Sequence, residues 1–372
     1  MTGSGARPPR LLLATGGTGG HVYPAVALAE AARERGAEVM VLGTRNGMEG
    51  ELVRAAGLPF SGVRSGKFDR QRPDPRAPFN ALVGLVQAWR TLRAWRPDAV
   101  VGFGGFAAFP GSAAAVLRGT PLLLHETNAV PGLVTRLLAR WATLVVTCQP
   151  EAAARLPRAR TRVVPFPVRE SLAERSAARR RFGLPDDALV TLVMGGSQGS
   201  LVLNRSVPEV ARSLQDEHHD LWVLHASGRR WHDDVRQRVA GRERYRSEGF
   251  VDASLAWAAA DLAITRGGYG TIAEAAYHGV PLIVVPLPSA ADDHQRHNAE
   301  ALERAGAGLC VLERDLLRDA GAALAAAWRS LLDDERRAAA RDAQRARTPA
   351  GGTITLLETV WPVLTGSRKA LG

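Results

Sequence analysis

Ala14-Thr15-Gly16-Gly17-Thr18-Gly19-Gly20-His21 separates an apolar run, Leu11 to Ala14, from an amphipathic one, Val22 to Arg33. A strand that breaks into glycines and restarts as a helix leaves backbone N–H groups at the positive end of the helix dipole. Glycine lets an anionic ligand approach them closely. His21, at the mouth of the loop, is of the residue type that moves protons near neutral pH. A single loop of this kind is equally well explained by tight turning. The second half of the chain carries two more.

Met194-Gly195-Gly196-Ser197-Gln198-Gly199-Ser200 follows the apolar run Leu189–Val193, and Arg266-Gly267-Gly268-Tyr269-Gly270-Thr271 follows Leu262–Thr265. Each reads as a strand–glycine–helix turn able to hold phosphate. Neither has the Gly-Lys-Ser/Thr of a P-loop, and Gly17-Thr18-Gly19-Gly20 is too compressed for a dinucleotide fingerprint. Three such loops at the carboxyl ends of strands point to ligand binding, because that edge is where open α/β sheets hold ligands.

Around these loops, short apolar runs alternate with amphipathic segments. Leu11–Ala14, Glu38–Gly43, Ala99–Phe103, Leu122–His125 and Leu144–Thr147 read as buried parallel strands. The pattern restarts after Val163-Val164-Pro165-Phe166-Pro167-Val168-Arg169, with Leu189–Met194, Leu221–His225, Leu262–Thr265 and Leu282–Val285. This alternation predicts an α/β fold of two doubly wound, Rossmann-like domains facing a cleft. The expected limits are 1–165 and 166–349, with a helix in 350–372 packing back across the domains. The Ala- and Arg-rich stretch Ala320–Ala343 reads most simply as a solvated outer helix.

A chain of 372 residues has two domains as its default. Hydrophobic content of 46% with 23% charged residues describes an ordered globular protein. Cys148 and Cys310 lack metal-ligand spacing, so neither a zinc site nor a disulfide framework is expected, and a reducing cytosol is the natural compartment. The net charge of +11 comes almost wholly from Arg, with Lys at positions 67 and 369 alone. That excess attracts anionic surfaces. No nucleic-acid-binding motif accompanies it, so nucleic acid is not expected as a partner. The first apolar run is too short for a secretory core, and no stretch is long enough to span a bilayer. Any membrane contact is therefore expected from the cytoplasmic surface.

Two further groups carry chemistry. Glu274, about one turn beyond Gly270, can accept both hydrogen bonds of a ribose diol, although a helix-start acid is the plain alternative. Asp292-Asp293-His294-Gln295-Arg296-His297-Asn298 is dense in polar groups. Capping accounts for its acids as well as a metal would, and Gln295 suits sugar hydroxyls. No Asp-x-Asp triplet is present, which favours a site without protein-bound metal, and no cofactor is expected.

Gly16-Gly17-Thr18-Gly19-Gly20-His21, His125-Glu126-Thr127-Asn128, Pro167-Val168-Arg169, Gly195-Gly196-Ser197-Gln198-Gly199 and Asp293-His294-Gln295 occur in this order. Together they resemble the MurG family, the N-acetylglucosaminyltransferases that complete lipid II in peptidoglycan synthesis, from about Leu11 to Leu309. The resemblance implies the two-domain glycosyltransferase B fold, with UDP-N-acetylglucosamine on the C-terminal domain. It also implies roles for individual residues. Ser197, the loop at Gly195, and Gly268, Tyr269, Gly270 and Thr271 hold the diphosphate, with Ile272 and Ala273 continuing that binding segment. Arg169 contacts the nucleotide, Val251 meets uracil through its backbone, and Glu274 binds ribose. Gln295 and Asn128 recognise N-acetylglucosamine, while Thr18, Gly19 and Gly20 approach the reacting diphosphates. The family's usual Asn, Ser, Ser and Gln are replaced here by Phe166, Gly267, Ala273 and Thr127.

The reaction so implied is inverting displacement at the anomeric carbon by the C4 hydroxyl of the N-acetylmuramic acid of lipid I. A sugar hydroxyl needs a base, and His21 is the leading candidate, with Glu126 an alternative. Lys67, Arg70, Arg72 and Arg76 precede Phe79, Leu82, Val83, Leu85, Val86, Trp89, Leu92 and Trp95. A basic loop before an apolar helix fits peripheral binding to an anionic membrane on its cytoplasmic face. Competing readings are another glycosyltransferase of this fold with a lipid or small-molecule acceptor, a UDP-N-acetylglucosamine 2-epimerase, and a non-enzymatic nucleotide-sugar or nucleic-acid binder.

Overall fold

The computed structural model describes residues 7–17, 19–47, 49–66, 75–168, 173–196, 198–347 and 351–367. They form two compact units. The first runs to Val168 and takes back the segment from Gly351 on, and the second lies between.

In the first unit the chain runs β1 (Arg10–Ala14), α1 (Gly19–Glu34), β2 (Glu38–Thr44), α2 (Glu49–Ala55), β3 (Phe60–Val63), α3 (Ala77–Trp95), β4 (Ala99–Gly102) and α4 (Gly105–Arg118). It continues through β5 (Leu122–Glu126), α5 (Leu133–Leu138), a 3-10 turn (Ala139–Trp141), β6 (Leu144–Thr147), α6 (Pro150–Ala154) and β7 (Thr161–Val163). The seven strands are ordered β3-β2-β1-β4-β5-β6-β7, and every pairing is parallel. Leu11 to Ala14 on β1 and Ala99 to Val101 on β4 are wholly or almost wholly buried, as strands covered by helices on both faces must be.

The second unit holds α7 (Arg175–Phe182), β8 (Leu189–Met194), α8 (Leu201–Glu217), β9 (Leu221–Ala226), α9 (His232–Arg238), β10 (Tyr245–Glu248), α10 (Ala253–Ala259), β11 (Leu262–Thr265) and α11 (Tyr269–His278). It closes with β12 (Leu282–Val284), α12 (His294–Arg304), β13 (Gly308–Cys310), α13 (Glu313–Arg318), α14 (Ala322–Leu332) and α15 (Asp334–Arg347). Its six parallel strands are ordered β10-β9-β8-β11-β12-β13.

One feature differs from the sequence reading, and two add to it. In the proline-containing segment after β7, Val164, Phe166 and Val168 are all buried. α16 (Gly352–Leu364) belongs to the first unit, where Leu356, Leu357, Val360, Val363 and Leu364 join the core that α1 and β1 build. Arg35 clasps it by stacking 4.5 Å over the Trp361 ring and pairing with Glu358. The expected solvated helix over Ala320–Ala343 is instead two helices, α14 and α15. α14 buries Leu324, Trp328, Leu331 and Leu332, and the Trp328 indole donates to Thr191 Oγ1 on β8 at 2.9 Å. Its alanines hid an apolar stripe that serves the core.

Candidate functional site

In each sheet the chain winds outward in both directions from one pair of neighbouring strands. These pairs are β1–β4 in the first unit and β8–β11 in the second. At such a switch point the two strand-to-helix loops diverge and leave a crevice outside the carboxyl ends. The three glycine loops predicted from sequence follow β1, β8 and β11. All of them flank switch points.

In the first unit, Gly16 and Gly17 have φ of +144° and +89°. A side chain on Gly16 would overlap the Glu49 carboxylate and crowd Ala107, so this backbone lies directly on both neighbours. Thr15 Oγ1 donates to the His21 carbonyl at 2.7 Å and folds the loop back on itself. Gly19 opens α1, with Gly20 and His21 in its first turn. Thr18 lies outside the described residues.

The His21 ring sits against the other loop of the switch point. Cβ atoms on Gly104 and Gly105 would lie 3.4 Å from its Nε2 and 3.3 Å from its Nδ1. Both glycines have positive φ, +67° and +69°, and side chains there would crowd the imidazole. Sequence reasoning missed this role, although two adjacent glycines after an apolar run were the signal for it.

The carboxylates near this loop are committed elsewhere. Glu126 is buried and accepts from Asn128 N–H at 3.1 Å, Asn128 Nδ2 at 3.2 Å, Gly132 N–H at 2.9 Å and Thr135 Oγ1 at 2.8 Å. It staples the 126–135 loop and so places Asn128. Glu49, also buried, accepts from the Thr44 N–H at 2.7 Å and props the loop from beneath. Neither is placed as His21 is, half-buried at the loop mouth.

His125 is a core residue. Its ring lies 5.0 Å from Phe103, and its Nε2 is 3.4 Å from Cys148 Sγ. Burial, helped by the nearby His21, lowers its pKa to about 3. Burial and the Glu126 carboxylate push the Cys148 thiol up, so it stays protonated. Phe166 packs its ring 6.4 Å from His125.

In the second unit, Ser197 and Arg169 lie outside the described residues. Ser200 caps α8 by accepting from Leu203 N–H at 3.4 Å. A Cβ on Gly196 would meet nothing within 4 Å, so its backbone faces open space. Behind this loop runs a buried chain. Tyr245 Oη meets His225 Nδ1 at 2.7 Å, His225 Nε2 meets Asn204 Oδ1 at 3.0 Å, and Asn204 Nδ2 donates to the Ser227 carbonyl at 2.9 Å. Because Asn204 Oδ1 can only accept, the His225 proton sits on Nε2.

Burial lowers the His225 pKa to about 3 as well. Below about pH 6.5 the unfolded chain protonates these two imidazoles, while the folded chain does not until about pH 3. Each therefore removes stability progressively across that window as pH falls, on the order of 1.4 kcal/mol per pH unit. We expect the melting temperature to drop between about pH 6.5 and pH 4, with neither imidazole titrating by NMR in that range. A ring that titrates near its ordinary value contradicts this.

α11 starts at the third loop. Its N-cap residue, Gly268, has no neighbour within 4 Å of an added Cβ. The first helical bond runs from Ile272 N–H to the Gly268 carbonyl at 3.2 Å, so the N–H groups of Gly270 and Thr271 point out of the helix start. The side chains of Tyr269, Ile272 and Ala273 are buried, and what this stretch offers a ligand is backbone. Glu274 lies beyond the first turn, so it is not the helix-start acid of the alternative reading. Val251 is buried just before Asp252, the cap of α10.

Gln295 Oε1 accepts from both Gly267 N–H at 3.0 Å and Leu287 N–H at 3.1 Å. Its NH2 group is what it can present to a hydroxyl. Asp293 stands at the start of α12 with φ of +53° and makes no side-chain capping bond, which corrects the capping expectation for that residue. Among the described residues there is no cluster of three or more metal-ligating side chains.

Gly267 leaves room for a close backbone approach, because a Cβ there would overlap the Gln295 carbonyl oxygen. Gly267→Ser is expected to cost about 1–3 kcal/mol of stability. Thermal melting checks this, and an unchanged melting temperature contradicts it.

A two-domain glycosyltransferase is the class that this fold and its paired switch-point loops define. Residues 11–147 match the glycosyltransferase family 28 N-terminal domain, and residues 190–354 match its C-terminal domain. The chain is 43% identical to the UDP-N-acetylglucosamine–N-acetylmuramyl-(pentapeptide) pyrophosphoryl-undecaprenol N-acetylglucosamine transferase of Deinococcus deserti, over 94% of this chain and 97% of that one. It is also 43% identical to the protein of the same name from Deinococcus radiodurans, over 94% of each. The crystal structure of Acinetobacter baumannii MurG matches with a TM-score of 0.78 and 30% identity, covering 95% of this chain and 99% of that one. This chain belongs to the MurG family.

Proposed function

We propose that this chain transfers N-acetylglucosamine from UDP-N-acetylglucosamine to the C4 hydroxyl of the N-acetylmuramic acid of lipid I, giving lipid II. The observation that carries this reading is the placement of glycine loops at the switch points of both sheets, in a chain that shares its family with the transferases named above. The second unit takes the donor. The loop at Gly195, with Gly196 and Ser197, and the backbone of Gly268 to Thr271 hold the diphosphate, Arg169 contacts the nucleotide, and Ile272 and Ala273 continue the binding segment. Val251 meets uracil, Glu274 the ribose, and the Gln295 NH2 group the sugar. The first unit takes the acceptor, with Thr18, Gly19 and Gly20 toward the reacting diphosphates, and Asn128 joins Gln295 in recognising the N-acetylglucosamine.

His21 accepts the proton of the C4 hydroxyl as that oxygen bonds to the anomeric carbon. The bond from that carbon to the UDP oxygen breaks, and the configuration inverts from α to β. Charge grows on the leaving β-phosphate, where helix-start N–H groups aligned in advance stabilise it. Mass spectrometry of the purified protein with donor and a lipid I analogue tests this. Gain of one N-acetylhexosamine on the acceptor supports it, and an unchanged acceptor overturns it.

The acceptor is a lipid, and no described helix is long and apolar enough to cross a membrane. α3 packs inward through small residues, Ala77, Ala81, Gly84 and Ala88 with Leu92, which leaves large apolar ones outside. Phe79 is 62% and Leu82 60% exposed, with Val86 beside them. Leu133, Leu137 and Trp141, on and just after α5, are exposed too, and Arg140 stacks on Trp141 at 3.8 Å. Exposed apolar groups among arginines suit peripheral docking on the anionic cytoplasmic leaflet. Lys67, Arg70 and Arg72 lie outside the described residues. Sedimentation with vesicles should show binding that rises with anionic lipid and falls with salt; binding indifferent to both removes the membrane part of the reading.

A further inference from the structure

α10 and α11 share a contact that the roles above do not use. The Trp257 indole, 1% exposed, donates its Nε1–H to Glu274 Oε2 at 3.0 Å. Trp257 sits in the same apolar cluster as Ile272 and Ala275 of α11 and Val251 ahead of α10. It cannot swing away without opening that core. Its helix is fixed at the start by Asp252, which accepts from Ser254 N–H at 3.0 Å and Leu255 N–H at 3.2 Å.

We propose that Trp257 is a positioning residue for nucleotide recognition, its indole N–H holding the Glu274 carboxylate in the orientation that meets the ribose hydroxyls. The proposal rests on the assignment of Glu274 to ribose and adds what sets that carboxylate's direction. A glutamate side chain turns about three bonds, and a carboxylate must present its lone pairs at a defined angle to accept from two neighbouring hydroxyls. Indole is a donor only, so it binds the carboxylate and offers no acceptor to compete with it. Being buried, its N–H has no water to turn to, and breaking the bond leaves an unsatisfied donor in the core. The short helix that begins beside Val251 therefore serves two tasks, placing the base-contacting backbone at one end and orienting the ribose-binding side chain further along.

Calorimetric titration of the full-length protein with UDP and with 2′-deoxy-UDP tests this. Four proteins are compared: wild type, Trp257→Phe, a variant with 3-benzothienylalanine at position 257, and Glu274→Ala. The benzothienyl side chain keeps the indole's shape and replaces N–H by sulfur, so the donor is removed even if phenylalanine disturbs packing. Wild type should prefer UDP, and Glu274→Ala should abolish the preference. Both Trp257 variants should weaken UDP binding by about three- to tenfold and weaken 2′-deoxy-UDP binding less, so that the preference narrows. A preference lost in Glu274→Ala but intact in folded Trp257 variants overturns the role of Trp257 alone. A preference that survives Glu274→Ala overturns the ribose assignment, and this proposal with it.

Discussion

Replacing His21 with alanine is expected to lower kcat by roughly a hundred- to ten-thousand-fold while leaving the donor KM near its wild-type value. The split follows from location, because His21 lies in the first unit while the proposed nucleotide-binding groups Val251 and Glu274 lie in the second. The size follows from the chemistry. A sugar hydroxyl is a weak nucleophile, and its proton must leave as the new bond forms. Glu126 cannot easily take over, since both its oxygens are held by loop donors. Steady-state kinetics across pH check this. The acid limb of the profile should vanish in the variant, and near-wild-type turnover across the whole range excludes His21 as the base.

Removing the chain from Gly351 onward is expected to prevent the first unit from folding, even though the truncation spares every proposed ligand-binding residue. α16 contributes Leu356, Leu357, Val360, Val363 and Leu364 to the core that contains Leu11 and Leu13 of β1. Fully burying a residue of this kind is worth about 1.5–3 kcal/mol. Five of them together are comparable to the roughly 5–15 kcal/mol by which a domain is ordinarily stable. The truncated protein should lose the cooperative melting of the first unit. A melting profile unchanged from that of the full chain contradicts this.

The central strands could be read from sequence because they are apolar on both faces, and Leu11–Ala14 or Leu189–Val193 admit few other readings. The four strands that escaped reading, Phe60–Val63, Thr161–Val163, Tyr245–Glu248 and Gly308–Cys310, are the four sheet edges. An edge strand is half exposed and short, so it shows no buried run. Tyr-Arg-Ser-Glu illustrates the point, with Tyr245 alone buried.

At the site, the glycine loops were legible because their chemistry lies within a few consecutive residues. Their supports were not. Glu49 beneath Gly16, Gly104 and Gly105 around His21, and Trp257 on Glu274 come from other elements, and only the fold brings them together. The capping expectation for Asp293 failed locally: its backbone is left-handed, and its carboxylate makes no capping bond but lies 3.9 Å from the Arg296 guanidinium.

The anomeric linkage of the product is the most direct measurement of what this chain does. NMR of the protein with UDP-N-acetylglucosamine and a lipid I analogue should show UDP released in step with a β-linked N-acetylglucosamine on the C4 oxygen of N-acetylmuramic acid. An α linkage, or conversion of the donor to its 2-epimer with the acceptor untouched, contradicts the account.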